Sequence, residues 1–370
     1  MKSAYFKQMS MQAPMGQWPA PPELWDAKGA IRGRDETFEE VELADRLGFD
    51  WVSCAEHHFG PLSLTPSIGV YAAALTQRVK RAKIAILGAL LPGGNPVRIA
   101  EEIAMLDLFS DGRVIAALLR GAPFEYVVYS VNPSESRGRF EEAWELITRA
   151  WTEPRPFGWD GEYYKYRQVA VWPRPIQQPT PPLIMSGSSK DSGEFAARKH
   201  VSLGLAFTTL PLAAEAARFY REKCAEYGWT PTPEQVLYRA TAHVAEDDKT
   251  AKEDLEPMFA PRPAGRGGGI ADANRLVAEA GFFGQRDANL TERFRTMGHD
   301  GPSNLEQQIE LGHIVAGSPA SVVAQLKRLN EEIGCGVIEL SFHAPGGDRE
   351  KRLKAMDLFA SKVMPEVRDL

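Results

Sequence analysis

Cysteine is scarce in this chain of 370 residues, and Cys54, Cys224 and Cys335 are far apart, with no Cys-x-x-Cys pair. That pattern argues against a disulfide framework and a cysteine zinc site, and it fits a reducing, cytoplasmic location. Long apolar runs are missing too. The longest, Ile84 to Leu91, is interrupted by Gly88 and is far shorter than the ~20 residues of a membrane-spanning helix. Residues Met1 to Ser10 lack the continuous apolar core of a secretory signal. Positive charge is not in excess. A net charge of -6 is unsuited to drawing in a phosphate backbone, so nucleic acid is not an expected partner. No Gly-x-Gly-x-x-Gly follows the first strand pattern and no Walker sequence occurs, which removes the usual signs of dinucleotide and nucleoside triphosphate binding.

What is present suits a large packed core: 44% of residues are hydrophobic and 25% charged. Strand-like and helix-like segments alternate along the chain, as in βα units around a parallel sheet. Candidate strands are Tyr5 to Met11, Phe49 to Cys54, Lys83 to Leu90, Val114 to Leu119, Leu183 to Ser186, Ser202 to Phe207, Val236 to Val244 and Val337 to Phe342. Most are unbroken apolar runs, the pattern of strands covered on both faces. Between them, Asn95-Pro96 starts a helix that Asp111-Gly112 stops, and Phe140, Trp144, Ile147 and Trp151 form an apolar stripe of plain core packing. Eight strands, each followed by helix, predict an α/β fold, a (β/α)8 TIM barrel formed by residues 1–370 as one domain. A doubly wound open sheet is the alternative that periodicity leaves open. From Phe259 to Ser303 an insertion that opens on a Gly- and Pro-rich run breaks the rhythm and is expected to be a lid.

In such folds active sites gather at the carboxyl ends of the strands. Glu56-His57-His58-Phe59 follows the run Phe49 to Cys54, which makes His57 the candidate proton-transfer residue. The plain alternative is a strand-end histidine bonded to a backbone carbonyl. His58 is expected to face away from His57, and three successive side chains cannot easily converge on one ion, so no metal is expected. Arg120-Gly121 follows the strand Val114 to Leu119, and Arg137 lies near the positive end of the next long helix. An anionic ligand shared by Arg120 and Arg137 accounts for both. Leu183 to Ser186 runs into Gly187-Ser188-Ser189 before another helix, a phosphate cradle in outline and equally an ordinary N-cap.

Five segments occur in order: Glu56-His57-His58-Phe59; Asn95-Pro96-Val97-Arg98-Ile99-Ala100-Glu101-Glu102; Leu106-Asp107 with Ser110-Asp111-Gly112-Arg113; Arg120-Gly121; and Glu135-Ser136-Arg137 with Phe140-Glu141-Glu142. Together they resemble the bacterial luciferase-like family of flavin-dependent monooxygenases, from about Phe38 to His200 and more weakly from Gly317 to Pro365. The resemblance implies a barrel that binds reduced FMN at the carboxyl ends of its strands, adds dioxygen at flavin C4a and uses the resulting peroxide on an organic substrate. It also implies His57 as the catalytic histidine, Arg120 and Arg137 as ligands of the FMN phosphate, and Gly187 and Ser188 as loop donors. Gly88 and Ala89 match a place where the family often has a non-prolyl cis peptide under the isoalloxazine ring. Leu119 stands where luciferase proper has a reactive cysteine, so aldehyde light emission is not implied.

The expected activity is therefore a two-component monooxygenase acting with O2 on a small apolar or carbonyl-containing substrate. No nicotinamide fingerprint is present, so FMNH2 is expected from a separate flavin reductase. Three other readings stand beside it: an oxidoreductase using the deazaflavin F420, a non-catalytic flavin-binding protein, and a metal-dependent barrel hydrolase. A homodimer through one barrel side, with the helix Pro96 to Phe109 as a candidate face, is also implied.

Overall fold

The computed structural model describes residues 1–13, 18–61, 63–121, 123–259, 304–343 and 347–370. Eleven strands occur among them: β1 Lys2–Phe6, β2 Trp51–Cys54, β3 Lys83–Leu90, β4 Val114–Leu119, β5 Phe157–Asp160, β6 Lys165–Val169, β7 Leu183–Ser186, β8 Ser202–Leu205, β9 Val236–Val244, β10 Ile314–Gly317 and β11 Val337–Phe342. Eight of these, in the order β1-β2-β3-β4-β7-β8-β9-β11, form a parallel sheet that returns to β1 and closes. The fold is the expected barrel and not the open sheet. Helices between the strands cover its outside, among them α1 Ala27–Leu47, α2 Ile68–Arg78, α3 Pro96–Phe109, α4 Pro123–Val128, α5 Ser136–Thr152, α6 Lys190–Lys199, α7 Leu210–Glu226 and α8 Asp248–Leu255.

Three strand expectations change. The first strand is Lys2–Phe6 and not Tyr5 to Met11, because pairing with both β2 and β11 uses the residues from Lys2 onward. Beyond it Lys7 and Gln8 act through their side chains: Gln8 Nε2 donates to Ala55 O (3.1 Å) and Thr65 Oγ1 (2.6 Å), which pins the loop after β2. β10 escaped the sequence pattern; only four residues long, it pairs with Thr241–Val244 of β9, beyond the stretch that pairs with β8. The β5–β6 hairpin lies outside the barrel sheet and was likewise unforeseen. The expected lid lies, apart from Phe259, outside the described residues.

Alternate residues of each strand point to opposite faces, and the two faces bury different things. Ala4, Trp51, Ala85, Ile115, Ala117, Ile184, Leu237 and Val337 form an apolar plug inside the cylinder. The outward set packs against the helices in a larger core that includes Tyr5, Val52, Ile84, Leu118, Trp144 and Trp151. Helix ends follow their sequence signals: Asp26 caps α1 through Lys28 N, and Gly48 ends it at φ 91°, in the left-handed region glycine tolerates.

Closure is locked by charge. Glu40 of α1 is fully buried and accepts from the Tyr5 hydroxyl (2.6 Å), while Lys7 Nζ lies at 2.6 Å and Arg352 Nη2 at 2.5 Å. Arg352 belongs to the helix Arg349–Leu358, so one carboxylate ties β1, α1 and the last part of the chain together. Burial pushes the Glu40 carboxyl up, but Arg352 and Lys7 outweigh it and hold it below its ordinary value. The resulting stabilisation is fully present above the ordinary glutamate range and is lost as pH falls through the depressed native value. Glu40→Gln would leave the largely buried Lys7 without a counter-charge and Arg352 with only the more distant Glu36, at 4.0 Å. It should cost about 3–5 kcal/mol in urea unfolding at pH 7, and a loss below about 1 kcal/mol would count against this lock.

Candidate active site

His57 lies three residues beyond β2, in the loop that Gln8 anchors. Its Nδ1 sits 2.9 Å from Glu125 Oε1 of α4; the His57 side chain is 46% exposed and that of Glu125 only 3%. An ionised carboxylate can only accept, so Nδ1 carries the proton and Nε2 is the basic nitrogen of the neutral ring. His58 turns the other way and is buried. Its Nε2 lies 3.2 Å from Glu56 Oε1 and 3.1 Å from the Tyr129 hydroxyl, which itself donates to Glu56 Oε1 at 3.1 Å. Burial first, and then the Glu56 charge, push the Tyr129 phenol well above its ordinary value, so it remains a donor. Glu125 Oε2, 3.9 Å from His58 Nε2, has no hydrogen-bond partner among the described residues. Two imidazoles, two carboxylates and a phenol thus meet where the β2 and β4 ends adjoin α4. Among the described residues no group of three or more His, Cys, Asp and Glu side chains is arranged to hold a metal ion.

Gly88 and Ala89 lie near the end of β3. The Leu87–Gly88 peptide is cis, and the β3–β4 register shifts between Leu87 and Ala89. A side chain at 88 has no room: a Cβ there would be 2.3 Å from Leu119 Cγ and 2.7 Å from Ala117 O. The backbone of β3 therefore runs close beside the residue that precedes Arg120. Arg120 itself is exposed, with no ion pair or hydrogen bond among the described residues. Burial pushes the Tyr126 phenol up, and the Arg120 charge and Ser136, at the start of α5, oppose that rise; the phenol donates to Gly121 O at 3.4 Å. Tyr126 thus links the end of β4 to the helix that carries Arg137.

Arg137 differs from expectation. Its Nε lies 3.1 Å from Glu141 Oε1 and its Nη1 3.0 Å from Asp191 Oδ2, so it has the acidic partners that the sequence did not suggest. Asp191 is in the first turn of α6, just past Gly187 and Ser188, and this pair brings Arg137 and that loop together. Gly187 donates its N–H to Gly204 O (3.0 Å) and has φ 148°; a Cβ there would meet Ser192 Oγ at 2.5 Å. Ser188 is half-buried in this loop, and Ser189 caps α6 by accepting from Ser192 N. A close backbone, a capped helix start and an unpaired arginine nearby in the fold suit a phosphate-bearing ligand.

Sequence reasoning missed Glu125, Tyr129 and a second polar layer. Two residues above the apolar plug, Trp51 is followed by Ser53, Leu237 by Arg239 and Val337 by Glu339. Ser53 Oγ donates to Glu339 Oε1 at 2.6 Å, and Arg239 Nε lies 3.8 Å from Glu339 Oε2. Burial lowers the Arg239 guanidinium and raises the Glu339 carboxyl, each opposed by the other's charge. Charged residues at inward-facing positions of otherwise apolar strands were the signal available. His243, near the end of β9, is buried, with Nδ1 donating to His343 O (2.9 Å) and Nε2 3.0 Å from Asp254 Oδ2.

A family model described as luciferase-like monooxygenase matches residues 16–335. The chain belongs to that family. Among curated relatives it is 33% identical over 173 residues to the uncharacterized protein y4wF of Sinorhizobium fredii, covering 46% of this chain and 50% of that one. It is 27% identical to the oxygenase component of flavin-dependent trigonelline monooxygenase from Acinetobacter baylyi, covering 60% and 63%. Both alignments span less than two thirds of the relative's length. Limonene 1,2-monooxygenase from Rhodococcus erythropolis is 27% identical over 92% of this chain and 82% of its own. Among solved structures, monooxygenase RslO1 from Streptomyces bottropensis superposes with TM-score 0.75 at 24% identity over 99% of both chains. The oxygenating constituent of 3,6-diketocamphane monooxygenase from Pseudomonas putida, in complex with FMN, gives 0.72 at 20% identity, covering 96% and 98%. An F420-dependent secondary alcohol dehydrogenase gives 0.68 at 17%, covering 100% and 99%. At these identities the structural likenesses show the luciferase-like barrel and no more. No helix among the described residues is long and apolar enough to cross a membrane.

Because Gly88 has backbone and side-chain atoms inside the space of a Cβ, Gly88→Ala should force β3 away from β4. The expected loss is roughly 1–3 kcal/mol in thermal or urea unfolding, and wild-type stability would mean that the contact relaxes freely.

Proposed function

We propose that this family member is the oxygenase component of a two-component flavin-dependent monooxygenase, using reduced FMN from a separate reductase and O2 to oxygenate a small organic substrate. The observation that carries this reading is the His57–Glu125 pair: a half-exposed imidazole oriented by a buried carboxylate at the carboxyl-end rim of a closed barrel. FMN, when bound, supplies the activation of dioxygen. This chain's own residues bind and orient it and move protons.

Arg120 holds the phosphate, its guanidinium having no acidic partner among the described residues to compete. Arg137 acts one step back, fixing the Gly187–Ser188 loop through Asp191, so that the start of α6 faces the anion. Gly88 and Ala89 let the β3 backbone approach the flavin ring. With Nδ1 pinned by Glu125, His57 keeps one tautomer and presents Nε2 to accept and return a proton at the reacting centre. The hydrogen-bonded Glu56–His58–Tyr129 set stiffens the loop behind it. The likeness to an F420-dependent dehydrogenase supports a second reading, hydride transfer without oxygen uptake, on the same rim.

α2 and α3 expose Val70, Met105, Leu108 and Phe109, which supports a homodimer through this side of the barrel.

Arg120→Ala should weaken FMN binding at least tenfold, about 1.4 kcal/mol, in a fluorescence titration; unchanged affinity would remove Arg120 from the phosphate site. His57→Ala should keep FMN within roughly twofold yet, with a flavin reductase supplying FMNH2, release hydrogen peroxide in place of oxygenated product. Wild-type coupling in that variant would end the proton-transfer role.

A further inference from the structure

Arg239 has its charge matched but its hydrogen-bond donors largely unused. Glu339 is its only ionic partner among the described residues, and the 3.8 Å between Nε and Oε2 is longer than a hydrogen bond. Ser341 Oγ, at 3.5 Å from Nη2, marks the outer limit of one. Glu339 gives its other oxygen to Ser53. A half-buried guanidinium with five N–H groups and so few protein acceptors has donors left for a ligand.

The accessible side of this guanidinium faces the mouth. Below it the plug residues Leu237 and Val337 close the cylinder, being 6% and 0% exposed, whereas the Arg239 side chain retains 18%. Its guanidinium carbon lies 3.3 Å from the centroid of the Phe6 ring and 5.3 Å from that of Phe207. Phe207, just past the end of β8, is 63% exposed and has φ 53°. A bulky aromatic residue in the left-handed region is uncommon, and such conformations gather at ligand clamps. An exposed apolar ring thus stands beside a row of unused N–H donors.

We propose that Arg239 and Phe207 form the subsite that selects the organic substrate, with the Arg239 N–H groups donating to a carbonyl oxygen and the Phe207 ring covering the adjoining apolar or aromatic body. A carboxylate fits less well. Glu339 already balances the guanidinium, and a second anion placed against Arg239 would lie close to Glu339 in a poorly solvated floor, where like charges repel strongly. A neutral carbonyl meets the donors without that cost. That the ligand here is the oxygenated substrate rests on the function proposed above; the ketone preference itself does not.

The test uses the full chain, free of flavin, and three matched probes: 4-hydroxyacetophenone, 4-ethylphenol and 4-hydroxybenzoate. Calorimetric titration should show the ketone binding at least tenfold more tightly than 4-ethylphenol, about 1.4 kcal/mol, with 4-hydroxybenzoate no tighter than the ketone. Arg239→Met should abolish the preference while leaving 4-ethylphenol affinity within roughly twofold. Because that variant leaves Glu339 buried without its cation and risks misfolding, the double variant Arg239→Met/Glu339→Gln is measured alongside it. Absent ketone binding or preference in the wild type, a preference that survives the double variant, or 4-hydroxybenzoate binding tightest would each overturn the subsite. So would a loss of FMN affinity beyond tenfold in the double variant, because Arg239 would then be a flavin ligand. Failure of the wild type to bind FMN would defeat the flavin reading and leave the ketone result to stand or fall on its own.

Discussion

A single buried carboxylate, Glu40, holds the cylinder shut, and everything at the rim depends on that closure. β1 must pair with β2 on one side and with β11, more than 330 residues later, on the other. Such a junction brings together segments remote in sequence, and its cost is the entropy of a very long loop. Glu40 meets Tyr5, Lys7 and Arg352 at that seam, so helix α1, the first strand and the last part of the chain are joined by charge-assisted hydrogen bonds as well as by apolar packing. With the ring closed, all eight strand carboxyl ends share one mouth.

The polar residues of that mouth are arranged in two tiers. The lower tier, Ser53, Arg239 and Glu339, rests on the apolar plug and is largely shielded from water. The upper tier consists of residues beyond the strand ends, with Glu125 of α4 between the two histidines that follow β2. Their environments separate their roles. His57 is half-exposed and held by one carboxylate, while His58 is buried between Glu56 and Tyr129 and cannot reach a ligand without breaking that set. The immediate neighbours in sequence therefore serve different ends, one chemical and one structural.

Much of the fold was legible because parallel strands announce themselves as unbroken apolar runs. β3, β4, β7 and β9 begin and end where those runs do. Tyr5 to Met11 was misleading, since pairing is decided by neighbours in space, and Lys7 and Gln8 are anchors for Glu40 and for the loop after β2. β10 was too short to announce itself, and its partner strand is set by where β8 stops. At the rim, His57 and Arg120 lie just past strand ends, where they were expected, and Gly88, which the resemblance pointed to, lies near the end of β3. The pairing of Arg137 with Asp191 was not legible, because Asp191 lies 54 residues further on and meets it only through helix packing.

The amino-acid sequence by itself determined the βα alternation, the resemblance to the family and the candidate rim loops, because periodicity, caps and strand-end motifs are local properties of the chain. Closure in place of an open sheet came from the pairing of β1 with β11. Only the tertiary structure decided which charges meet. Glu125 reaches His57 across 68 positions, Ser53 reaches Glu339 across 286, and Arg239 finds Phe6 and Phe207 beside its guanidinium. Such contacts arise from the curvature and register of a closed sheet, and no window along the chain contains both partners.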